Sequence, residues 1–152
     1  MVWTPRVTVA SIIEEGGRFL MVEELVDGER VVNQPAGHLE PGEALVTAAV
    51  RETLEETGRR LLPEGLVGIY RWRHPATDVT YLRITVCGRL DPDAVAVPPV
   101  DTKVLASAWM SEAQLAASPA RLRSPMVLRS IRDYRDGQRL SLSALVDLEA
   151  AS

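Results

Sequence analysis

The sequence predicts an α/β fold in which a mixed β-sheet is covered by helices. Three observations carry this. Two strand-like runs near the N-terminus, the first of them β-branched, are joined and followed by tight-turn signals. A single strong helix stands in the middle of the chain. Further strand patterns follow it, and helical patterns come last, an order expected of a sheet packed against helices. The chain has 152 residues, 46% hydrophobic and 25% charged. That is long enough for one domain with its own core, and one domain spanning residues 1–152 is expected.

The first expected strand is Val7 to Ile13, β-branched and bounded by Gly16-Gly17. Arg18 to Glu24 is the second, and the Asp27-Gly28 pair after it is a hairpin turn signal. A shorter third strand, Arg30 to Asn33, ends before Pro35, which has no N–H for a ladder. Glu43 to Thr57 is the central helix, with Pro41-Gly42 before it and Gly58 where a C-terminal cap glycine is expected. Leu66 to Trp72 and Val79 to Cys87 read as strands. A loop rich in breakers runs from Asp91-Pro92 to Pro98-Pro99, and Val104 to Met110 reads as a last strand. Ser111, with Gln114 three residues on, marks the start of a short helix. Met126 to Tyr134 has helical apolar spacing.

Charge and composition exclude several classes. The net charge of −4 argues against a nucleic-acid partner, which needs a basic face. No apolar run approaches the ~20 residues that span a bilayer, and the N-terminus lacks the pattern of a signal peptide. A cytoplasmic protein without a membrane partner is expected. Cys87 is the only cysteine, in an apolar alternating run, and reads as a buried core thiol. No sequence feature specifies an oligomer.

The central helix carries the chemistry. Glu52, Glu55 and Glu56 stand at i, i+3 and i+4, so they share one face and repel one another. They also lie near the helix C-terminus, where the dipole disfavours anions. Apolar residues on both sides of the helix, Leu45, Ala48 and Ala49 against Val46, Val50 and Leu54, suggest that it is sandwiched. Repulsion in such a place is relieved by divalent cations with oxygen ligands, and magnesium suits one or two carboxylates plus substrate phosphates.

Gly37-His38-Leu39-Glu40-Pro41-Gly42-Glu43, seven residues, and then Arg51-Glu52-Thr53-Leu54-Glu55-Glu56-Thr57-Gly58-Arg59 resemble the Nudix box. Every glycine and charged position of that signature is present. Two aliphatic positions depart, at Thr53 and Arg59. Outside the box, Arg6-Val7-Thr8-Val9-Ala10, Val22-Glu23-Glu24, Asn33-Gln34-Pro35-Ala36, Leu82-Arg83, Leu122-Arg123-Ser124-Pro125, Ser130 to Tyr134 and Gly137-Gln138-Arg139 are similar to the NudJ-type phosphatases of that family.

The resemblance implies the Nudix fold, a mixed sheet between helices. It implies magnesium, with manganese able to substitute. The implied metal ligands are Glu52, Glu55, Glu56 and the Gly37 carbonyl, with Asp101 the candidate for a carboxylate from a later loop. Arg51 and Glu43 match the pair that holds loop against helix. The implied reaction is hydrolysis of phosphoanhydrides in small diphosphates and triphosphates, among them nucleoside di- and triphosphates, thiamine diphosphate and hydroxymethylpyrimidine diphosphate, with release of orthophosphate. Two alternatives stay open: a pyrophosphohydrolase acting on another nucleoside diphosphate derivative such as a nucleotide sugar, and a non-catalytic nucleotide-binding module.

Divalent cations neutralise charge on phosphoryl oxygens and make water a better nucleophile. A nearby carboxylate takes the proton, and Glu52, Glu56 and Asp101 are all eligible. Arg6 and Arg83 either clamp phosphates from neighbouring strands or form surface ion pairs. Trp3, Tyr70 and Trp72 either stack on a heterocycle or pack in the core, with Trp72 the expected substrate contact. Arg123 either reaches the substrate or serves the entry to the last helix.

Overall fold

The computed structural model describes residues 1–149, so the last three positions of the expected 1–152 domain lie outside the described residues. Seven strands form a mixed sheet: β1 (Arg6–Glu15), β2 (Arg18–Val26), β3 (Glu29–Asn33), β4 (Ala36–His38), β5 (Leu61–Arg73), β6 (Thr80–Leu90) and β7 (Val104–Ser111). The helices are α1 (Leu45–Thr57), α2 (Glu112–Ala117) and α3 (Pro125–Arg135). Strand order along the main path is β3-β2-β1-β6-β5, with β4 on β1 and β7 on β2. The β1–β6 pair is parallel and the other strand pairs are antiparallel.

Local chemistry explains most element ends. Asp27 and Gly28 both have positive φ, as a tight hairpin of this kind requires. Gly58 adopts the left-handed conformation and its N–H donates to the Leu54 carbonyl, closing α1. Ser111 and Gln114 form a reciprocal capping box at α2. Strands β5 and β6 run longer than expected, and β5 continues through Pro63 because it is the edge strand and bulges there.

Two expectations are corrected. The three-residue β4 was not foreseen; it pairs Ala36, Gly37 and His38 with Ala10, Val9 and Thr8. The central helix starts at Leu45 rather than Glu43, because the Glu43 side chain is drawn back to Arg51 and the Glu40 amide.

The core has two layers. Ile12, Met21, Val67, Val127 and Ile131 pack on the α3 side of the sheet. Val9, Ile13, Leu20, Ala48, Ala49 and Val86 pack on the α1 side. Helix α1 buries one face only: Ala48, Ala49, Glu52, Thr53 and Glu56 are buried, whereas Leu54 is 40% exposed. It is therefore not sandwiched, and its second apolar stripe is only half covered. The departure from the box at Thr53 is explained here. Its hydroxyl is buried, donates to the Ala49 carbonyl and lies 2.8 Å from the Ser11 hydroxyl, so the pair is satisfied across the helix–sheet contact. Cys87 is buried in the core as expected, and burial pushes its thiol pKa up. No helix among the described residues is long and apolar enough to cross a membrane.

Candidate active site

The C-terminal half of α1 sends Glu52 and Glu56 to the sheet side. Glu56 Oε1 accepts the Ala36 amide of β4 at 2.6 Å. Gly37 is next, and a Cβ there would stand 2.2 Å from the Glu52 carboxyl carbon, so only glycine leaves that carboxylate room. The open carbonyls at the end of α1 are used by the following loop. Val100 and Asp101 donate their amides to Glu55, and Val97 donates to Gly58. That anchoring delivers Asp101 to the glutamates: carboxylate oxygens of Glu52, Glu56 and Asp101 all lie within 4.8 Å of one another.

Glu55 turns the other way. Arg51 binds Glu43 in a fork, Nε to Oε2 at 2.5 Å and Nη2 to Oε1 at 2.9 Å. Its Nη1 donates to Glu52 at 2.8 Å and to Glu55 at 3.1 Å, and its Nη2 also reaches the His38 carbonyl at 3.0 Å. One guanidinium thus ties the loop after β4 to two successive turns of the helix. A planar fork is what this geometry needs.

The acidic group opens into a cavity of about 620 Å³. Its walls include Thr8, Glu24, Gly37, Glu52, Glu56 and Asp101 on one hand, and Trp72, Tyr81, Arg83 and Arg123 on another. Burial pushes the Glu56 carboxyl up to about 9, aided by repulsion from Glu24, Glu52 and Asp101. Burial also raises Glu52 and Glu24, although Arg51 and Asn33 respectively pull them down. Of the three carboxylates only Glu52 has a cation beside it, Arg51, and such a crowded group suits a hard divalent ion, since every donor is oxygen. Glu52, Glu56 and Asp101 are the residues that would hold it.

The basic residues fared differently from one another. Arg83 is buried and hydrogen-bonded to Asn33 and Gln34, so it is not in a surface ion pair. Arg6 is exposed at the start of β1 and does not line the cavity. Trp72 lines it and stacks on Tyr81 at 5.9 Å. Tyr70 instead donates to Asp133 of α3 at 2.7 Å, and Trp3 is 68% exposed. Arg123 reaches the wall.

Glu24, Asn33, Thr8 and Tyr81 are wall residues that sequence reading missed. Glu24 left a faint signal, a second acid in an otherwise apolar strand. Thr8 and Tyr81 left none, because β-branched and aromatic residues are ordinary in strands.

The NUDIX domain family matches residues 3–130. Phosphatase NudJ of Escherichia coli K12 is 38% identical over 143 residues, covering 94% of this chain and 92% of its own length. A solved NUDIX hydrolase from Nitrosomonas europaea is 44% identical, with a TM-score of 0.88 over 95% of this chain and 98% of that one. A MutT NUDIX hydrolase from Burkholderia pseudomallei, 20% identical, shares the fold with a TM-score of 0.70 over 86% of this chain and 98% of its own.

Proposed function

The chain belongs to the Nudix family and is a hydrolase of phosphoanhydrides; on that premise we propose that it is a magnesium-dependent phosphatase of small diphosphates and triphosphates. Nucleoside di- and triphosphates, thiamine diphosphate and hydroxymethylpyrimidine diphosphate are the candidate substrates, and orthophosphate is the product. The observation that carries this reading is one cavity walled by the Glu52, Glu56 and Asp101 carboxylates and by the Arg83 and Arg123 guanidiniums.

In this reading water attacks the terminal phosphorus, a new P–O bond forms, and the anhydride P–O bond breaks toward the shorter phosphate. Magnesium, when bound, supplies positive charge against the phosphoryl oxygens. The chain's own residues do the rest. Glu52, Glu56 and Asp101 converge on one point and Gly37 lines the same cavity, whereas Glu55 lies outside this group, bound to Arg51. Arg51, held by Glu43, fixes Glu52 through Oε1, and Glu52 lines the cavity. Glu56 is held through Oε1 by the Ala36 amide; the charge of a bound magnesium would favour its carboxylate form, in which Oε2 can accept the water's proton. Arg83 faces the phosphates, Arg6 lies outside the cavity mouth as a more distant cation, and Trp72 offers a flat face for a heterocycle.

The test is incubation with GDP, GTP and thiamine diphosphate plus magnesium, followed by phosphorus NMR. Orthophosphate is expected from all three. Pyrophosphate as the direct product of GTP, or cleavage of a nucleotide sugar alone, would overturn the phosphatase reading and leave the Nudix assignment intact. No turnover of any phosphoanhydride would point to a binding module.

A further inference from the structure

Arg83 is 5% exposed, yet among the described residues its guanidinium hydrogen-bonds only to neutral groups. Nη1 donates to Asn33 and Gln34, each at 3.2 Å, and Nη2 to Asn33 at 3.2 Å. Its Nε–H has no hydrogen-bond partner in the chain. Glu24 faces it from β2, but Asn33 stands between them, accepting from Arg83 and donating to Glu24 at 3.4 Å. Burial brings the arginine's pKa down to about 10. Glu24 and Glu56 favour its charge from a distance, but no carboxylate hydrogen-bonds to it, and a buried guanidinium with an unpartnered N–H beside an open cavity points to a ligand anion.

The neighbouring groups are of the same kind. Thr8 pairs with Arg83 across the parallel β1–β6 ladder, is 6% exposed, lines the cavity, and has no hydrogen-bond partner for its hydroxyl. The N-terminus of the 11-residue α3 borders the same cavity at Ser124 and Met126, with Arg123 just before it; the helix's own N–H groups there are spent, since Pro125 has none, Met126 donates to the Ser124 hydroxyl and Val127 to the Ser124 carbonyl. Two residues along β6, roughly 7 Å away, is the Trp72–Tyr81 stack, also on the cavity wall. The acidic cluster approaches from α1 and the loop that ends at Asp101.

We propose that Thr8, Arg83 and Arg123 form an anion subsite separate from the acidic cluster, binding the phosphate that stays on the organic product. A ligand lying along the cavity then has its ring on Trp72 and Tyr81, its inner phosphate at Arg83 and Thr8, and its terminal phosphate at the carboxylates. That order of groups rests on the phosphatase reading; the existence of the subsite does not.

The probe is inorganic phosphate, titrated calorimetrically into metal-free protein in EDTA. Binding in the millimolar range is expected. Thr8→Val and Arg123→Gln should each weaken it by about tenfold or more, the scale of one hydrogen bond to a charged group, while Thr8→Ser retains it. Thr8→Val should fold normally, since it removes a buried hydroxyl that has no partner, and Arg123→Gln tests the subsite from the half-exposed side. Parent affinity in either variant, or no phosphate binding by the parent without metal, overturns the proposal. With magnesium and GDP, Thr8→Val should raise KM more than it lowers kcat. Phosphate binding without GDP turnover would remove the phosphatase reading and leave the subsite; turnover without metal-free phosphate binding would do the reverse.

Discussion

Two groups of carboxylates stand on one helix and are built on opposite rules. On the outer side of α1, Arg51 gathers Glu43, Glu52 and Glu55, and its hydrogen bonds hold the Glu43 carboxyl below the usual carboxylate range. On the inner side, Glu56 and Asp101 converge with Glu52 without a cation partner of their own, and Glu56 rises to about 9. Glu52 belongs to both groups: Arg51 holds one oxygen, yet burial still raises the carboxyl. The difference teaches that the same residue type serves two ends. Carboxylates paired with Arg51 fix geometry, whereas carboxylates crowded under cover favour a divalent cation among them.

The sharpest way to break this comparison is at Glu56. Glu56→Gln keeps the shape and the acceptor for Ala36 but removes an anionic oxygen. Magnesium-dependent turnover should fall by ~100-fold or more, with the fold retained, as read by steady-state kinetics and circular dichroism. Near-parent turnover in the folded variant would remove the inner group from catalysis.

The outer group should respond less in rate and more in stability. Arg51→Lys leaves a positive charge but cannot reproduce the fork to Glu43 together with the contacts to Glu52, Glu55 and His38. A loss of about tenfold in kcat/KM is expected, typical of residues that orient metal ligands, with a lower melting temperature. Activity within twofold of the parent at unchanged melting temperature would show that the clasp is dispensable.

The smallest effect is on pH and needs no substrate. Burial raises Glu56 above the ordinary carboxylate pKa of 4.5, to about 9 in the folded protein. The folded metal-free protein therefore keeps a proton that the unfolded chain has released. The stability from that proton is complete below the ordinary pKa and is lost as pH rises through the folded value. Glu56→Gln cannot ionise and escapes the loss. In EDTA its melting temperature should gain on the parent between pH 5 and pH 9, by roughly 5 °C. Added magnesium should then stabilise the parent more than the variant. A difference that does not change with pH would mean that Glu56 ionises freely in the folded protein.

Much of the fold was legible because it is written in short-range chemistry. Asp27-Gly28, Gly58 and the Ser111–Gln114 pair each specify a local backbone conformation, and the structure has all three. The three-residue β4 was illegible, since so short a strand has no period of its own and exists only because β1 offers it a ladder. In the site, the spacing of Glu52, Glu55 and Glu56 placed them on one side of a helix, but a helix side is broad. Whether each glutamate meets Arg51 or Asp101 depends on which loop packs over it.

By itself, then, the sequence determined the order of the longer elements, the helix that carries the acids, and the residues of the box, because periodicity and turn chemistry act between neighbours in the chain. Only the tertiary structure decided which charges are paired. Arg6 and Arg83 look alike as strand arginines, yet one is in solvent and the other is buried beside Asn33, Gln34 and Thr8. Asp101 is a loop acid until the carbonyls of α1 anchor its loop. The physical reason is that a charge's worth is set by its access to water and by its nearest partners, and both are fixed by packing between segments far apart in sequence.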